Sequence, residues 1–145
     1  MILILGGTAA YHLDLSAELG AVERIDQETP YGRAFPILRL LNAPGNTALA
    51  FASRHGLEQL DLTPPFVNAR ANLWAAHALG VQAIVSWNGV GAINPLLEVG
   101  DLLVLNHLLD MTRTRVRSFD PAPPLPTRCC RINRPLRHCL FLTRP

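Results

Sequence analysis

The sequence predicts an α/β fold, and three features carry that prediction. Short apolar runs at Met1–Leu5, Thr47–Ala52 and Ala83–Val85 have the length and branched content of buried strands. Each run ends in small, polar or cationic residues, at Gly6-Gly7-Thr8, Ser53-Arg54-His55-Gly56 and Asn88-Gly89. Between the second and third run lies a segment with helical spacing, so strand and helix patterns alternate along the chain.

Met1–Leu5 is the expected opening strand, with Gly6-Gly7-Thr8 as the turn after it. Successive backbone N–H groups in such a turn, together with a threonine hydroxyl, suit phosphate oxygens. The turn lacks the Gly-Lys-Ser/Thr of a Walker sequence and the G-x-G-x-x-G of a dinucleotide site, so neither function is supported. Glu28-Thr29-Pro30-Tyr31-Gly32 reads as a turn-rich connection. Ile37–Asn42 and Thr47–Ala52 then read as a hairpin closed by Ala43-Pro44-Gly45-Asn46. The second arm runs into Arg54, a planar cationic fork suited to phosphate, and His55, a further donor or simply a structural ring.

Thr63-Pro64-Pro65 predicts a helix start, with Thr63 as N-cap and Pro64 in the first turn. Val67, Ala71, Trp74, Ala75, Ala78 and Leu79 fall on one face, expected to be core, and Gly80 is the expected stop. Asn68 and Asn72 lie four apart on another face, where they reach a substrate or bind loop backbone; His77 is expected to face solvent. Ala83–Val85 opens the expected central strand, buried on both faces and closed by Asn88-Gly89. Asn94-Pro95 breaks the chain, and Gly100-Asp101 leads into an apolar segment at Leu102–Leu105. Ligands of open α/β sheets sit beyond the carboxyl ends of the strands. The three strand ends are therefore expected to meet and form an anion site, with phosphate as the anion.

At 49% hydrophobic and 17% charged residues, the composition is that of a globular domain rather than a disordered chain. No apolar run approaches the ~20 residues of a membrane-spanning helix, and the start has no basic leader, so a cytoplasmic location without membrane association is expected. The net charge of +2 is unevenly spread. Residues 1–120 carry eight arginines against eleven acids, whereas 121–145 carry five arginines, no acid, six of the twelve prolines and all three cysteines. The basic character thus belongs to the last 25 residues, which is weak ground for nucleic-acid binding, and none is expected. Cys129-Cys130 and His138-Cys139 are poorly spaced to chelate one zinc, so no metal site is expected.

Taken in order, several short motifs resemble the purine nucleoside phosphorylase superfamily, specifically its 5′-methylthioadenosine/S-methyl-5′-thioinosine phosphorylase branch. They are Gly6-Gly7-Thr8 with Tyr11, Glu28–Gly32, Arg54-His55-Gly56, Val67-Asn68, Arg70-Ala71-Asn72 with Trp74-Ala75, and Asn88–Ile93. Gly100-Asp101 and Asp110-x-Thr112 with Arg115, Ser118 and Phe119 extend the likeness to about residue 120. The resemblance implies a three-layer α/β/α phosphorylase fold with a mixed central sheet, usually assembled as a homotrimer. It implies an enzyme with no cofactor, taking inorganic phosphate as co-substrate to cleave the N-glycosidic bond of a purine nucleoside. It places Thr8, Arg54, His55, Asn88 and the Gly89 N–H around that phosphate, leaves Asn68 and Asn72 on the substrate side, and names no catalytic acid.

The chain departs from the family pattern in three places and in length. Glu58, Gln59 and Leu60 stand where a second histidine usually follows Arg-His-Gly, Ala69 replaces a tyrosine, and Ala9 replaces the glycine after the threonine turn. Family members are about twice as long, and the resemblance fades at Asp120, where composition shifts to Arg, Pro and Cys. Two units are therefore expected: 1–120, the N-terminal part of a phosphorylase domain, and 121–145, a non-native or disordered tail such as a frameshift in GC-rich DNA would write. A chain of that kind is expected to turn over poorly. The alternative is a non-catalytic fragment that self-associates or joins an intact homologue.

Overall fold

The computed structural model describes residues 1–7, 10, 14, 17, 20–43, 45, 47–57, 61–105, 107, 109, 111, 116, 118–119 and 138–141. Its strands are β1 (Ile2–Gly6), β2 (Val22–Ile25), β3 (Glu28–Thr29), β4 (Gly32–Arg33), β5 (Ile37–Leu40), β6 (Leu49–Ser53), β7 (Ala83–Trp87), β8 (Leu102–Leu105) and β9 (His138–Phe141). A 3₁₀ turn at Pro64–Phe66 precedes the helix α1 (Ala69–Ala78). Five strands form one mixed sheet in the order β2-β5-β6-β1-β7. β6, β1 and β7 run parallel, while β2, β5 and β6 are joined antiparallel. The expected hairpin is β5–β6, with Leu38 opposite Phe51 and Arg39 opposite Ala50.

Both faces of this sheet are packed, and the strand period decides which residue goes where. Leu3, Ile37, Ala50 and Ala52 face α1, whose Ala71, Ala75 and Ala76 supply a small-residue surface that lets the helix lie close. Phe51, one residue out of phase, turns to the opposite face with Ala10, Ile4, Leu38 and Trp87. Layers on both sides of a mixed sheet are the α/β arrangement the sequence predicts.

Two expectations are corrected. α1 begins at Ala69 rather than at Pro64, because Val67 is extended (φ −63°, ψ 122°) and Asn68, not Thr63, accepts the N-terminal N–H, that of Ala71, at 3.2 Å. The two prolines form only a single 3₁₀ turn, and Thr63 makes no side-chain cap. Val67 thus precedes the helix, and Ala78 is exposed rather than core. The helix end is as expected: Gly80 takes φ +73° and donates to His77 O, while Val81 N–H donates to Ala76 O, a paired closure that glycine permits.

The second correction concerns β7. It is the last strand of the five, not a strand buried on both faces: Ala83 and Ile84 are exposed, and Val85 to Trp87 are half-buried. Apolar content alone does not bury a strand; a neighbour on each side must cover it. Beyond β7, β8 pairs antiparallel with β9, and β9 also runs close to β7. β9 lies within the Arg/Pro/Cys-rich stretch; Cys129, Cys130 and the rest of 121–137 are outside the described residues. Among the described residues, no helix is long and apolar enough to cross a membrane.

Candidate functional site

Register brings the three strand ends together. Gly6 is level with Ser53 on one side and with Trp87 on the other. The residues that follow, Gly7, Arg54 and Asn88, therefore leave the sheet side by side at its carboxyl edge. Backbone bonds continue the parallel ladder past the strands, with Gly7 N–H on Trp87 O at 2.8 Å and Arg54 N–H on Gly6 O at 3.1 Å.

The side chains then close on one another. Arg54 Nε donates to Gly6 O at 3.3 Å, and its Nη2 donates to Asn88 Oδ1. Asn88 Nδ2 in turn donates to Ser86 Oγ at 3.2 Å, so the amide is held from both ends. Gly7 faces this pair directly: a Cβ there would lie 2.8 Å from Asn88 Oδ1 and 3.1 Å from Arg54 Nη2. Glycine is needed for close approach at this point, not for an unusual backbone angle.

His55 is buried, with 4% of its surface exposed. Its Nδ1–H donates to Leu62 O at 2.9 Å, and its own carbonyl accepts from Asp61 N and Leu62 N. The ring thereby pins the loop that returns from β6 to the 3₁₀ turn. With Nδ1 carrying the proton, Nε2 of the neutral ring accepts, and it donates only in the imidazolium form.

Arg54, His55 and Asn88 line a cleft of about 320 Å³ with Gly89 and Asn72 on its polar side and Leu5, Pro64, Val67 and Leu73 among its apolar walls. That volume is at the small end for ligand sites. Asn72 is 8% exposed, and its Oδ1 accepts Phe35 N–H at 2.9 Å; Asn68 caps α1 and donates Nδ2 to Tyr31 O at 2.7 Å. Both amides bind backbone, and of the two only Asn72 borders this cleft. A cleft of about 400 Å³ lies elsewhere, between Arg24, Arg33, Phe35, Asp61 and Asn68. It mixes charges of both signs, and both its arginines are bonded to Asp26.

Of the residues singled out in the sequence, Arg54, His55, Asn88, Gly89 and Asn72 border one cleft, and Asn68 borders the other. Thr8 lies outside the described residues, as do Asp110, Thr112, Arg113 and Arg115. Sequence reasoning missed Ser86 and Leu62, which hold Asn88 and His55, because neither carries a motif. It also missed Val67 as a cleft wall, having placed it on the helix. Among the described residues no three His, Cys, Asp or Glu side chains are close enough to hold a metal ion.

The model of the phosphorylase superfamily matches residues 1–141. The chain is 36% identical over 118 residues to a 6-oxopurine nucleoside phosphorylase of Pyrococcus furiosus, covering 81% of this chain and 42% of that one. It is 39% identical over 120 residues to a probable S-methyl-5′-thioinosine phosphorylase of Methanothermobacter thermautotrophicus, covering 82% and 41%. Among solved structures, the methylthioadenosine phosphorylase of Schistosoma mansoni in complex with adenine superposes with a TM-score of 0.72 at 30% identity, over 85% of this chain and 43% of its own. The chain thus spans less than half the length of the relatives it matches.

Proposed function

This chain belongs to the phosphorylase superfamily, and on that premise we propose that its cleft is the phosphate side of a purine nucleoside phosphorylase site. In the reaction so assigned, a phosphate oxygen attacks C1′ of the nucleoside and the C1′–N bond breaks. Its electron pair leaves with the purine, which takes up a proton, and the sugar becomes ribose 1-phosphate or its 5′-methylthio derivative. Arg54 supplies fixed positive charge, Asn88 and the Gly89 N–H supply oriented contacts, and the family resemblance assigns Thr8 to the same phosphate. Anion held beneath C1′ stabilises the oxocarbenium-like sugar and sets the nucleophile in line.

The observation that carries this reading is the register of β6, β1 and β7, which sets Gly7, Arg54 and Asn88 shoulder to shoulder at the carboxyl edge of the sheet. His55 enters as a donor only when protonated, since Nδ1 is committed to Leu62 O. Asn72 accepts Phe35 N–H through Oδ1, while its buried Nδ2 has no partner among the described residues and is the donor it offers on the substrate side of the cleft.

The described cleft wall contains no carboxyl group, and the His55 imidazolium is the one side chain in it suited to pass a proton to the departing purine. General acid assistance is worth about 10²–10⁴-fold, and low turnover by this chain is the expected outcome. The experiment is incubation of the purified chain with methylthioadenosine, methylthioinosine or inosine plus phosphate, with calorimetric titration of phosphate alone. Phosphate binding with little base release is the expected result; absence of phosphate binding refutes the site, and base release matching the Pyrococcus furiosus relative refutes the low turnover. Cytoplasmic location and trimeric assembly belong to the same reading, with sedimentation as the check on the second. The non-catalytic alternative draws support from the many apolar residues exposed after residue 83.

A further inference from the structure

The second cleft, of about 400 Å³, is larger than the first and takes no part in the phosphate assignment. Its size falls within the range of about 300–1,000 Å³ typical of small-molecule sites. Arg24, Arg33 and Asp61 line it together with Phe35, Pro36 and Leu62, so both signs of charge meet an apolar wall in one hollow. Hydrogen bonds from several elements fix that wall. Asn72 Oδ1 accepts Phe35 N–H at 2.9 Å, and His55 Nδ1–H donates to Leu62 O at 2.9 Å. His55 O accepts Asp61 N–H at 2.7 Å and Leu62 N–H at 3.1 Å, and Ala34 N–H donates to Gln27 O at 3.2 Å. Asn68 is held at both ends of its amide, by Ala71 N–H and Tyr31 O. A lining pinned in this way loses little freedom when a ligand enters.

The charges decide what fits. Arg24 and Arg33 both bond the Asp26 carboxylate, and with Asp61 these four groups sum to zero. A lone anion or a lone cation meets repulsion as well as attraction there, whereas a molecule of both signs finds a partner for each. Arg33 reaches Asp26 through Nη2 alone, at 3.5 Å, which leaves Nε and Nη1 without a partner among the described residues. A guanidinium edge of this kind takes a carboxylate in two parallel bonds. Asp61, which is exposed, presents an acceptor for an ammonium group, and the half-buried Phe35, Pro36 and Leu62 present a surface for an apolar body. We propose that this cleft binds a free α-amino acid with an apolar side chain. Its carboxylate lies on Arg33, its ammonium on Asp61 and its side chain against Phe35, Pro36 and Leu62. The inference is independent of the phosphate assignment, because neither Arg33 nor Asp61 borders the first cleft.

The test is calorimetric titration of the full 145-residue chain with leucine and with phenylalanine. Leucinamide, which lacks the carboxylate, and isocaproate, which lacks the ammonium, are titrated beside them. The expected result is saturable binding of an amino acid, at least about tenfold tighter than that of either singly charged analogue. Arg33→Gln and Asp61→Asn are each expected to weaken it by about tenfold or more, while Arg54→Gln, in the first cleft, leaves it unchanged. Both substituted residues are exposed, and thermal melting checks that the variants fold; if one does not, the comparison of leucine with its two analogues on the unaltered chain decides. Absence of saturable binding at millimolar concentration overturns the proposal. So does an analogue that binds as tightly as leucine, or binding that Arg54→Gln abolishes and Arg33→Gln spares.

Discussion

At the residue scale, the cleft depends on what Gly7 lacks. A methyl group at Gly7 meets Asn88 Oδ1 at 2.8 Å and Arg54 Nη2 at 3.1 Å, both ends of side chains that can swing aside. Gly7→Ala is therefore expected to cost about 1 kcal/mol or less in stability but to part the Arg54–Asn88 pair. Calorimetry with phosphate, set beside thermal melting, checks both halves of that expectation. Gly6→Ala differs: its Cβ lies 2.6 Å from Ala10 Cβ and 3.0 Å from the Phe51 ring, inside packed core, so a loss of about 1–3 kcal/mol is expected in urea unfolding. Arg54→Gln removes a charge-assisted donor, and a fall of about 10- to 100-fold in phosphate affinity is expected. The importance of Arg54 and Asn88 was legible because strand-end positions and side-chain chemistry are local facts. Ser86 and Leu62 were not legible, since an ordinary hydroxyl and a backbone carbonyl become partners only once the chain has folded back.

At the element scale, α1 shows how local signals compete. Thr63-Pro64-Pro65 carries the stronger sequence signature, yet Asn68 starts the helix because its side chain serves two elements at once, Ala71 N–H and Tyr31 O. Asn68→Ala is expected to cost about 1–2 kcal/mol, with loss of helical dichroism and of the tie to the β3–β4 turn. That turn is held further by Arg70, stacked 5.2 Å from the Tyr31 ring centre. Near it, Arg24 donates to Asp26 at 2.9 Å, and Arg33 adds a longer contact. The Arg24 hydrogen bond, followed by the positive charge of Arg24 and then the contacts with Arg33, holds the Asp26 carboxyl below its ordinary value against the opposing pull of desolvation. A carboxyl lowered in the folded state stabilises it above the unfolded value, and that contribution disappears as pH falls through the folded value. Carboxyl titration by NMR should show Asp26 moving up toward its ordinary value in Arg24→Gln. Because the pair is exposed, the global unfolding midpoint should barely respond.

At the scale of the whole molecule, the residues whose burial is described draw their buried core from the first 76 positions. Leu3, Ile37, Ala50 and Ala52 meet α1 on one face, and Phe51 meets Ala10 on the other, while β7 and β8 add strands without adding a buried layer. Amide exchange should accordingly be slowest in β1 and β6 and at least about tenfold faster in β7 and β8, a gradient measurable by mass spectrometry. Uniform protection across all five strands of the sheet would mean that the later segment has found cover.

What the sequence determined by itself was the alternation of strand and helix, the β5–β6 hairpin, the helix stop at Gly80 and the chemistry gathered at three strand ends. Each of these follows from period, turn residues or side-chain type within a few positions. Only the tertiary structure decided that Gly6, Ser53 and Trp87 stand level, that His55 spends its Nδ1 proton on Leu62, and that the apolar strand Ala83–Trp87 closes a sheet instead of lying at its centre. Burial and register are relations between distant segments, and a run of apolar residues carries no record of which neighbour comes to lie beside it.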